Sequence, residues 1–587
     1  MDKIKPHIPP VTKNEVLLKN NDDWLHFHSP YQLILVEKLE EVLPALREIE
    51  RLIQTNKWYA AGFLSYEAAP AFDPAIRTRP GSGFPYLWFG LYPEPHPVMP
   101  PGPGAPPATL RWSPDVDRAT YNIAIAKIRA SIAEGQTYQV NYTMRLRAEF
   151  TGSPWDFFLH MAQNQNTQAA YIDTDRYVIC SASPELFFQL DGDVITCRPM
   201  KGTTQRGRTT VEDRTQSDWL KNSEKNRAEN VMIVDMIRND IGRIAQTGTV
   251  TVPKLFEMER YSTLWQMTST IRAKTSASLT EIMAALFPCA SITGAPKVST
   301  MKIISDLEST PRKIYTGAIG YMAPDRKAKF NVAIRTALID IKNQIAEYGV
   351  GGGIVWDSDS TDEYAEALLK ARILSQEKQS FSLFETILWT PEEGFFLEQK
   401  HLERMLDSAD YFDIPATKEF LETCLRKIAS SFQAPQRVRL LLDRTGQLTC
   451  EFHPIGLTED MRPLKACLAK ESLDRANVFL FHKTTRREVY ENALEDVQGL
   501  DDVLLYNEAH ELTEFTIGNL VVELDGRFFT PPVSCGLLAG TFRAHLLETG
   551  RVTERTINVN ELARCTKIFR INSVRRWQAV ELRRDVG

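Results

Sequence analysis

A polar, charged run between Arg372 and Ser380, with Leu-Ser-Gln-Glu-Lys-Gln at its centre, interrupts the chain, and an apolar alternation starts afresh over Ser382–Trp389. A break of that composition is where few contacts cross between folding units. No internal repeat links the two sides, so the chain is expected to fold as two unlike units, one over 1–375 and one over 376–587. Length agrees, because 587 residues are too many for one hydrophobic core.

Within the first unit, helical spacing over Val36–Ile53, Tyr121–Ala133 and Glu224–Arg238 is interleaved with strand-like runs at Ala61–Glu67, Thr137–Thr143, Tyr177–Ser181 and Leu186–Leu190. This mixture predicts an α+β fold. Between Tyr92 and Pro114 the chain is too rich in proline for either ladder and reads as an exposed loop. With 43% hydrophobic and 25% charged residues the composition is that of a soluble globular protein. A formal charge of -6 offers no basic field to nucleic acid. Eight scattered cysteines without a Cys-x-x-Cys pair suit reduced thiols. Met1–Pro6 lacks the apolar core of a secretion signal, and no apolar run approaches the ~20 residues of a membrane span. The expectation is a cytoplasmic protein with neither membrane nor nucleic-acid partner.

Lys201 stands in Arg198-Pro-Met-Lys-Gly-Thr203, where proline fixes φ and glycine opens conformations closed to other residues. The segment reads as a rigid strand end followed by a turn. Its lysine is either a solvated turn residue or an amine presented to a ligand. Glu363 and Glu366, three apart, share one face of a helix opened by a Ser360 or Thr361 cap. With Glu229 on another helix, they either form an acidic helix start or hold a hard cation such as Mg2+. Gly294-Ala-Pro-Lys297 and Gly351–Gly353 are either ordinary loops or turns whose backbone N–H groups face an anion.

Together the motifs resemble the chorismate-utilising enzymes over nearly all of residues 10–375. They are Gly135-Gln-Thr-Tyr-Gln-Val-Asn141, Ser183-Pro-Glu-Leu-Phe187, Pro199-Met-Lys-Gly-Thr203, Glu229 through Asp240, Ser291-Ile-Thr-Gly-Ala-Pro-Lys297, Tyr315-Thr-Gly-Ala-Ile-Gly320 and Gly351 through Glu366. The resemblance implies an anthranilate synthase component I-like β-sandwich with surrounding helices. Lys201 stands where aminodeoxychorismate synthase component I members carry a nucleophile and anthranilate synthases a small residue. Its amine would attack C2 of the chorismate ring as the C4 hydroxyl leaves, and ammonia would then enter at C4. Attack needs an uncharged amine, so the pocket is expected to be dry around it.

The same resemblance makes Glu185 the general acid at the leaving hydroxyl, and Glu229 and Glu366, with Glu363 near them, the Mg2+ ligands. Tyr315, Arg335, Thr203 and the backbone at Gly352 would contact substrate. Two departures narrow the chemistry. Gln266 replaces the histidine that anthranilate synthases associate with pyruvate loss, and an amide cannot transfer that proton. Gln139 replaces the lysine base for water in isochorismate-forming relatives. No Gly-x-Cys-x-Gly elbow surrounds any cysteine, so ammonia would come from a separate glutamine amidotransferase subunit.

From about residue 381 onward, Phe384-Glu-Thr386, His401-Leu-Glu-Arg404, Phe481-His-Lys483, Glu511 through Asn519 and Leu538-Ala-Gly-Thr-Phe-Arg543 resemble the class IV pyridoxal-phosphate enzymes. These share a D-amino acid aminotransferase-like α/β fold and include 4-amino-4-deoxychorismate lyase. The resemblance implies that Lys483 carries pyridoxal 5'-phosphate covalently, Glu514 pairs with its ring nitrogen, and Arg404, Thr541 and Ser573 receive the phosphate. The family's Gly-Ile-Thr-Arg stands here as Gly540-Thr-Phe-Arg543, moving the hydroxyl by one position. It also implies a homodimer through this half. The expected whole is a fused enzyme of para-aminobenzoate and folate synthesis. The rivals for the second unit are an amino-acid transaminase and a cofactor-free dimerisation or docking module.

Overall fold

The computed structural model describes residues 11–20, 23–81, 83–99, 110–163, 168–371, 374, 381–456, 462–495, 497 and 499–583. They form two compact units, one of Met1–Gln205 with Ser217–Lys378, the other of Arg206–Gln216 with Gln379–Gly587. Most of the charged run around residues 372–380 lies outside the described residues.

In the first unit two ten-stranded sheets pack face to face. Between them lie Val16, Phe27, Ile172 and Leu338 of one sheet against Phe63, Trp88, Tyr92 and Ile319 of the other. The outer face of the first sheet is covered by helices Arg118–Ala133, Pro154–Gln163 and Lys297–Leu307. The outer face of the second carries Val42–Asn56, Glu224–Gly242 and Leu279–Leu286. The α+β sandwich follows from strands buried on both faces, as at Leu87–Tyr92, and from helices buried on one stripe only.

Several sequence expectations are corrected. Val36 ends the strand Gln32–Val36, and the helix begins at Val42. His96–Val98, inside the proline-rich stretch, is a strand paired with Asp23–Phe27. It lies at the sheet edge, where proline's missing N–H is tolerated. Residues 100–109 of that stretch lie outside the described residues. Lys201 is not in a turn: Met200–Gln205 is a strand, and Gly202, at φ +97°, sits in a register shift against Leu264–Lys274. Gly351–Gly353 form no anion loop either. They lie within the strand Ile345–Ile354, opposite Thr143, Tyr142 and Asn141. Gly294-Ala295 likewise pairs with Val140 and Gln139. The helix Ser360–Leu369 is capped by Asp359, whose carboxylate accepts from the N–H groups of Thr361 and Asp362.

In the second unit a four-stranded sheet containing Leu383–Thr390, Gln436–Leu442 and Leu448–Pro454 packs on helices Glu398–Tyr411 and Lys418–Ala429. An eight-stranded mixed sheet carries Asp502–Tyr506, Leu512–Phe515, Gly518–Leu524 and Lys567–Asn572, with helices Glu488–Glu495 and Thr541–Glu548. Among the described residues no helix is long and apolar enough to cross a membrane.

Candidate functional sites

The strand Met200–Gln205 presents Lys201 toward the first sheet. Asn230, on the helix Glu224–Gly242, donates to the Lys201 carbonyl at 3.2 Å and accepts from Ser269 Oγ at 2.6 Å, which pins the irregular strand. The same helix carries Glu229, whose Oε2 lies 3.4 Å from Lys201 Nζ. The Lys201 side chain retains 18% exposure. The amine thus faces the Glu229 carboxylate from a largely buried position.

Glu185 follows the strand Tyr177–Ser183 and is buried. Ser291 Oγ donates to its Oε1 at 2.6 Å, and Ser183 Oγ accepts its backbone N–H at 3.2 Å. Burial pushes the Glu185 carboxyl up to about 7, against the opposing pull of Ser291, the Met200 amide and the charge of Lys201. A carboxyl so placed keeps its proton near neutrality and can donate it.

Glu363 accepts from Ser358 Oγ at 2.7 Å, and Glu366 pairs with Lys370 Nζ at 2.9 Å. Burial raises the Glu363 carboxyl and the Glu366 charge adds to it, whereas Lys370 draws Glu366 down. Lys201 acts on both electrostatically, so the three glutamates and the lysine share one region. Among the described residues no three His, Cys, Asp or Glu side chains form a preassembled metal cage. This donor set fits an ion such as Mg2+, which takes one or two carboxylates and fills its shell with water and substrate oxygens.

The other proposed substrate contacts fall into two places. Thr203 Oγ1 donates to Gln266 Oε1 at 3.1 Å, and Gln266 Nε2 donates to Gly202 O at 2.7 Å, so Gln266, on the neighbouring strand Leu264–Lys274, is tied to the strand of Lys201. A side chain on Gly352 would start 3.1 Å from Glu363 Oε2. Tyr315 and Arg335 are instead brought together around Tyr348, which both influence electrostatically. Sequence reading noted Gln139 only as a missing base. In the structure its amide is wholly buried, neither Nε2 nor Oε1 has a partner, and it points at the space beside Lys201 and Gly353. The glutamine type carried no signal of this.

In the second unit a cavity of ≈ 1480 Å³ is lined by Phe384, Arg404, Lys483, Glu514, Thr541 and Ser573 among others. All five sequence candidates thus face one space. Lys483 Nζ lies 4.5 Å from the Phe384 ring centre. Burial, then the positive charge of Arg404, lowers its amine to about 8, a value that supplies the free base readily. Arg404 makes a two-pronged pair with Glu385, 2.7 Å on each arm, and donates to Ala539 O at 3.0 Å. Glu385 also takes His401 Nδ1 at 2.7 Å, and His401 Nε2 meets Thr541 Oγ1 at 3.1 Å. Burial alone would raise the Glu385 carboxyl, but Arg404 and His401 outweigh it and hold the group well below the usual range. Thr541 opens an eight-residue helix behind Gly540, so free backbone N–H groups accompany its hydroxyl. Ser573 Oγ lies 3.4 Å from the Thr386 carbonyl. Arg543 turns away, to Pro531 O and Glu554.

Glu514 is buried, which pushes its carboxyl up to about 7. Tyr490 and the Leu538 amide donate to its Oε1 at 2.8 and 3.1 Å, and Asn519 donates to its Oε2 at 3.1 Å. Tyr490, 24 residues away in sequence, gave no sequence signal. A buried lysine, a carboxylate with a free lone pair, a clamped arginine and a helix start fit pyridoxal phosphate, whose amine-reactive carbonyl, ring nitrogen and phosphate require those groups.

Comparison with known proteins gives two matches along the chain, "chorismate binding enzyme" over residues 13–376 and "Amino-transferase class IV" over 382–582. Aminodeoxychorismate synthase component 1 of Escherichia coli (strain K12) is 40% identical over 272 residues, covering 46% of this chain and 60% of that protein. The Bacillus subtilis (strain 168) protein of the same name is 37% identical over 254 residues, 43% of this chain and 54% of the relative. The matched regions thus span somewhat over half the length of these relatives. Anthranilate synthase component I from Streptococcus pneumoniae TIGR4 superposes with a TM-score of 0.53 at 23% identity, over 64% of this chain and 94% of that structure. It shares the fold.

Proposed function

Because this chain belongs to the chorismate binding enzymes, we propose that it is a fused enzyme of para-aminobenzoate synthesis. Its first unit would convert chorismate and ammonia to 4-amino-4-deoxychorismate, and its second would remove pyruvate to aromatise the ring. The 40% identical component 1 relative supports the first step. The observation that carries the reading is a lysine amine beside Glu229, in the same region as the buried Glu185, a carboxyl that keeps its proton and feels the charge of Lys201.

In this reading Lys201, whose side chain is 18% exposed, first loses its proton to solvent, and the free amine attacks C2 while Glu185 gives its proton to the departing C4 hydroxyl, which leaves as water. Ammonia then bonds to C4 as the C2–Nζ bond breaks and the electron pair returns to lysine. Glu229, Glu366 and Glu363 would hold Mg2+ against the ring carboxylate, where the ion supplies charge neutralisation and orientation. Tyr315, Arg335, Thr203 and the Gly352 backbone would seat the remaining groups. Gln266 lacks a transferable proton, so the first unit stops at the aminated ring.

The class IV match supports pyridoxal phosphate in the second unit. Bound there it supplies an electron sink. Lys483, at about 8, takes and returns the substrate protons. Arg404, Thr541 and Ser573 receive the phosphate, and Glu514 keeps the ring nitrogen charged. Ammonia is delivered by a separate glutamine amidotransferase subunit, the chain dimerises through its C-terminal half, and the domains divide at 375/376 in the cytoplasm. Incubating the protein with chorismate, ammonium and magnesium tests this. It should yield 4-amino-4-deoxychorismate without pyridoxal phosphate, and para-aminobenzoate with pyruvate when the cofactor is added. No aminated product in either case refutes the first step, and an aminated ring that persists with cofactor refutes the second.

A further inference from the structure

Glu514 meets three donors from three elements. Tyr490 comes from the helix Glu488–Glu495, Leu538 contributes a backbone N–H, and Asn519 comes from the strand Gly518–Leu524. Two donors fall on Oε1 and one on Oε2. A carboxylate offers about two acceptor directions on each oxygen, so one direction on Oε2 stays open. Glu514 lines the cavity that also holds Lys483 and Arg404.

Each donor has a second tie except the phenol. Asn519 Nδ2 also donates to the Leu538 carbonyl at 2.8 Å. Leu538 is fixed by its place in the backbone. The Tyr490 ring packs under the Arg487 guanidinium, 4.4 Å from ring centre to Cζ, and Arg487 is itself bonded to the Thr516 carbonyl. The phenol thus has one hydrogen-bonding task, which is to hold Glu514. The charged and titratable groups that act on Glu514 from the surrounding elements are Tyr490, Arg487 and Lys483.

We infer that Tyr490 is a positioning residue for the pyridoxal phosphate ring, setting through its hydrogen bond to Glu514 how far the proton shared by Glu514 and the pyridine nitrogen stays on the nitrogen. This rests on the cofactor assignment made above for the second unit. A phenol that donates to Oε1 stabilises the carboxylate form and makes it a weaker proton acceptor. The shared proton then stays on the ring, where the electron-sink role needs it. Without that donor the carboxylate gains proton affinity and draws the proton away. A hydrogen bond to a charged group of ordinary strength corresponds to about a tenfold change in that affinity.

The test uses the full chain loaded with 15N-labelled pyridoxal phosphate, with the ring-nitrogen chemical shift followed against pH. The Tyr490→Phe variant keeps the ring under Arg487 and removes only the hydroxyl. Its 15N signal should move toward the value of unprotonated pyridine, with the titration displaced by about one pH unit. In a Glu514→Gln background the same change should produce no further shift, which separates an effect through Glu514 from direct contact of Tyr490 with the cofactor. A wild-type protein that binds the label while Tyr490→Phe leaves the signal in place overturns the assignment to Tyr490 alone. A further shift in the Glu514→Gln background overturns it too. A wild-type protein that takes up no label overturns both this inference and the cofactor reading beneath it.

Discussion

The amine of Lys201 ends where a side chain on residue 353 would have to begin. A Cβ built on Gly353 would lie 2.7 Å from Lys201 Nζ and 2.4 Å from Gln139 Nε2, so any side chain there would have to push aside the end of a lysine that reaches across from the opposite sheet. The two glycines beside it answer to different neighbours. A Cβ on Gly351 would strike the Tyr142 carbonyl at 2.3 Å, a backbone atom that cannot move aside.

Gly353→Ala is accordingly expected to displace Lys201 and lower the rate of aminated product by about 100-fold, the usual effect of a misplacement near 1 Å at a reacting group. Its thermal stability should stay near wild type, because the displaced atoms end flexible side chains. Gly351→Ala should instead destabilise the sandwich itself. Rates and melting temperatures measured side by side check the contrast, and equal loss of stability in both variants would refute it.

Glu185 gives a pH signature. Its carboxyl sits at about 7 against an ordinary 4.5, so between those values the folded chain binds a proton that the unfolded chain has released. Stability therefore falls as pH rises across this window, by on the order of 3 kcal/mol from this group. Glu185→Gln should flatten the slope relative to wild type while lowering turnover by about 10² to 10⁴. Wild-type amination should decline as pH passes about 7. A variant with the wild-type pH–stability curve would remove Glu185 as the buried proton holder.

Legibility from sequence was highest where chemistry dictates residue type and lowest where geometry comes from distant segments. The restart after the charged run, the long helices and the order of motifs were readable because apolar periodicity and capping are local. The strand at Lys201 was not, since Pro199 and Gly202 are local turn signals while the pairing that overrides them comes from Leu264–Lys274. Gly351–Gly353 carry a loop composition, yet they serve close contact between a strand and its neighbours. Lys483, Glu514 and Arg404 were legible as residue types. The ties of Tyr490 to Glu514 and of His401 to Thr541 were not, because no spacing rule connects 24 or 140 residues.

Gln139 carries a stability–activity opposition. Its buried amide has no partner for either polar atom, and a buried unpaired group of this kind costs about 1–3 kcal/mol. Gln139→Leu, nearly equal in volume, should raise the unfolding free energy by about that amount. The same change should lower the rate of aminated product, because the amide points at the space beside Lys201. A variant no more stable than wild type would show that the amide is already satisfied.

The Glu385 cluster argues for the opposite outcome in the second unit. Glu385 is fully buried between the Arg404 guanidinium and His401, so replacing it by glutamine leaves Arg404, whose side chain is only 14% exposed, without its counter-ion. Removing one partner of a buried pair costs about 3–5 kcal/mol, whatever the pair was worth when intact. The carboxyl is held below its ordinary 4.5 in the folded state, so its contribution is fully present above that value and disappears as pH falls below it. Glu385→Gln should therefore lower the melting temperature strongly at pH 7, and the gap from wild type should narrow on acidification. Arg404 loses its two-pronged anchor in the same variant, and His401 no longer orients toward Thr541. Affinity for pyridoxal phosphate, read by equilibrium dialysis at pH 7, should fall together with stability. Unchanged affinity alongside lost stability would separate Arg404 from the phosphate, and a pH-independent gap in melting temperature would contradict an ionised Glu385.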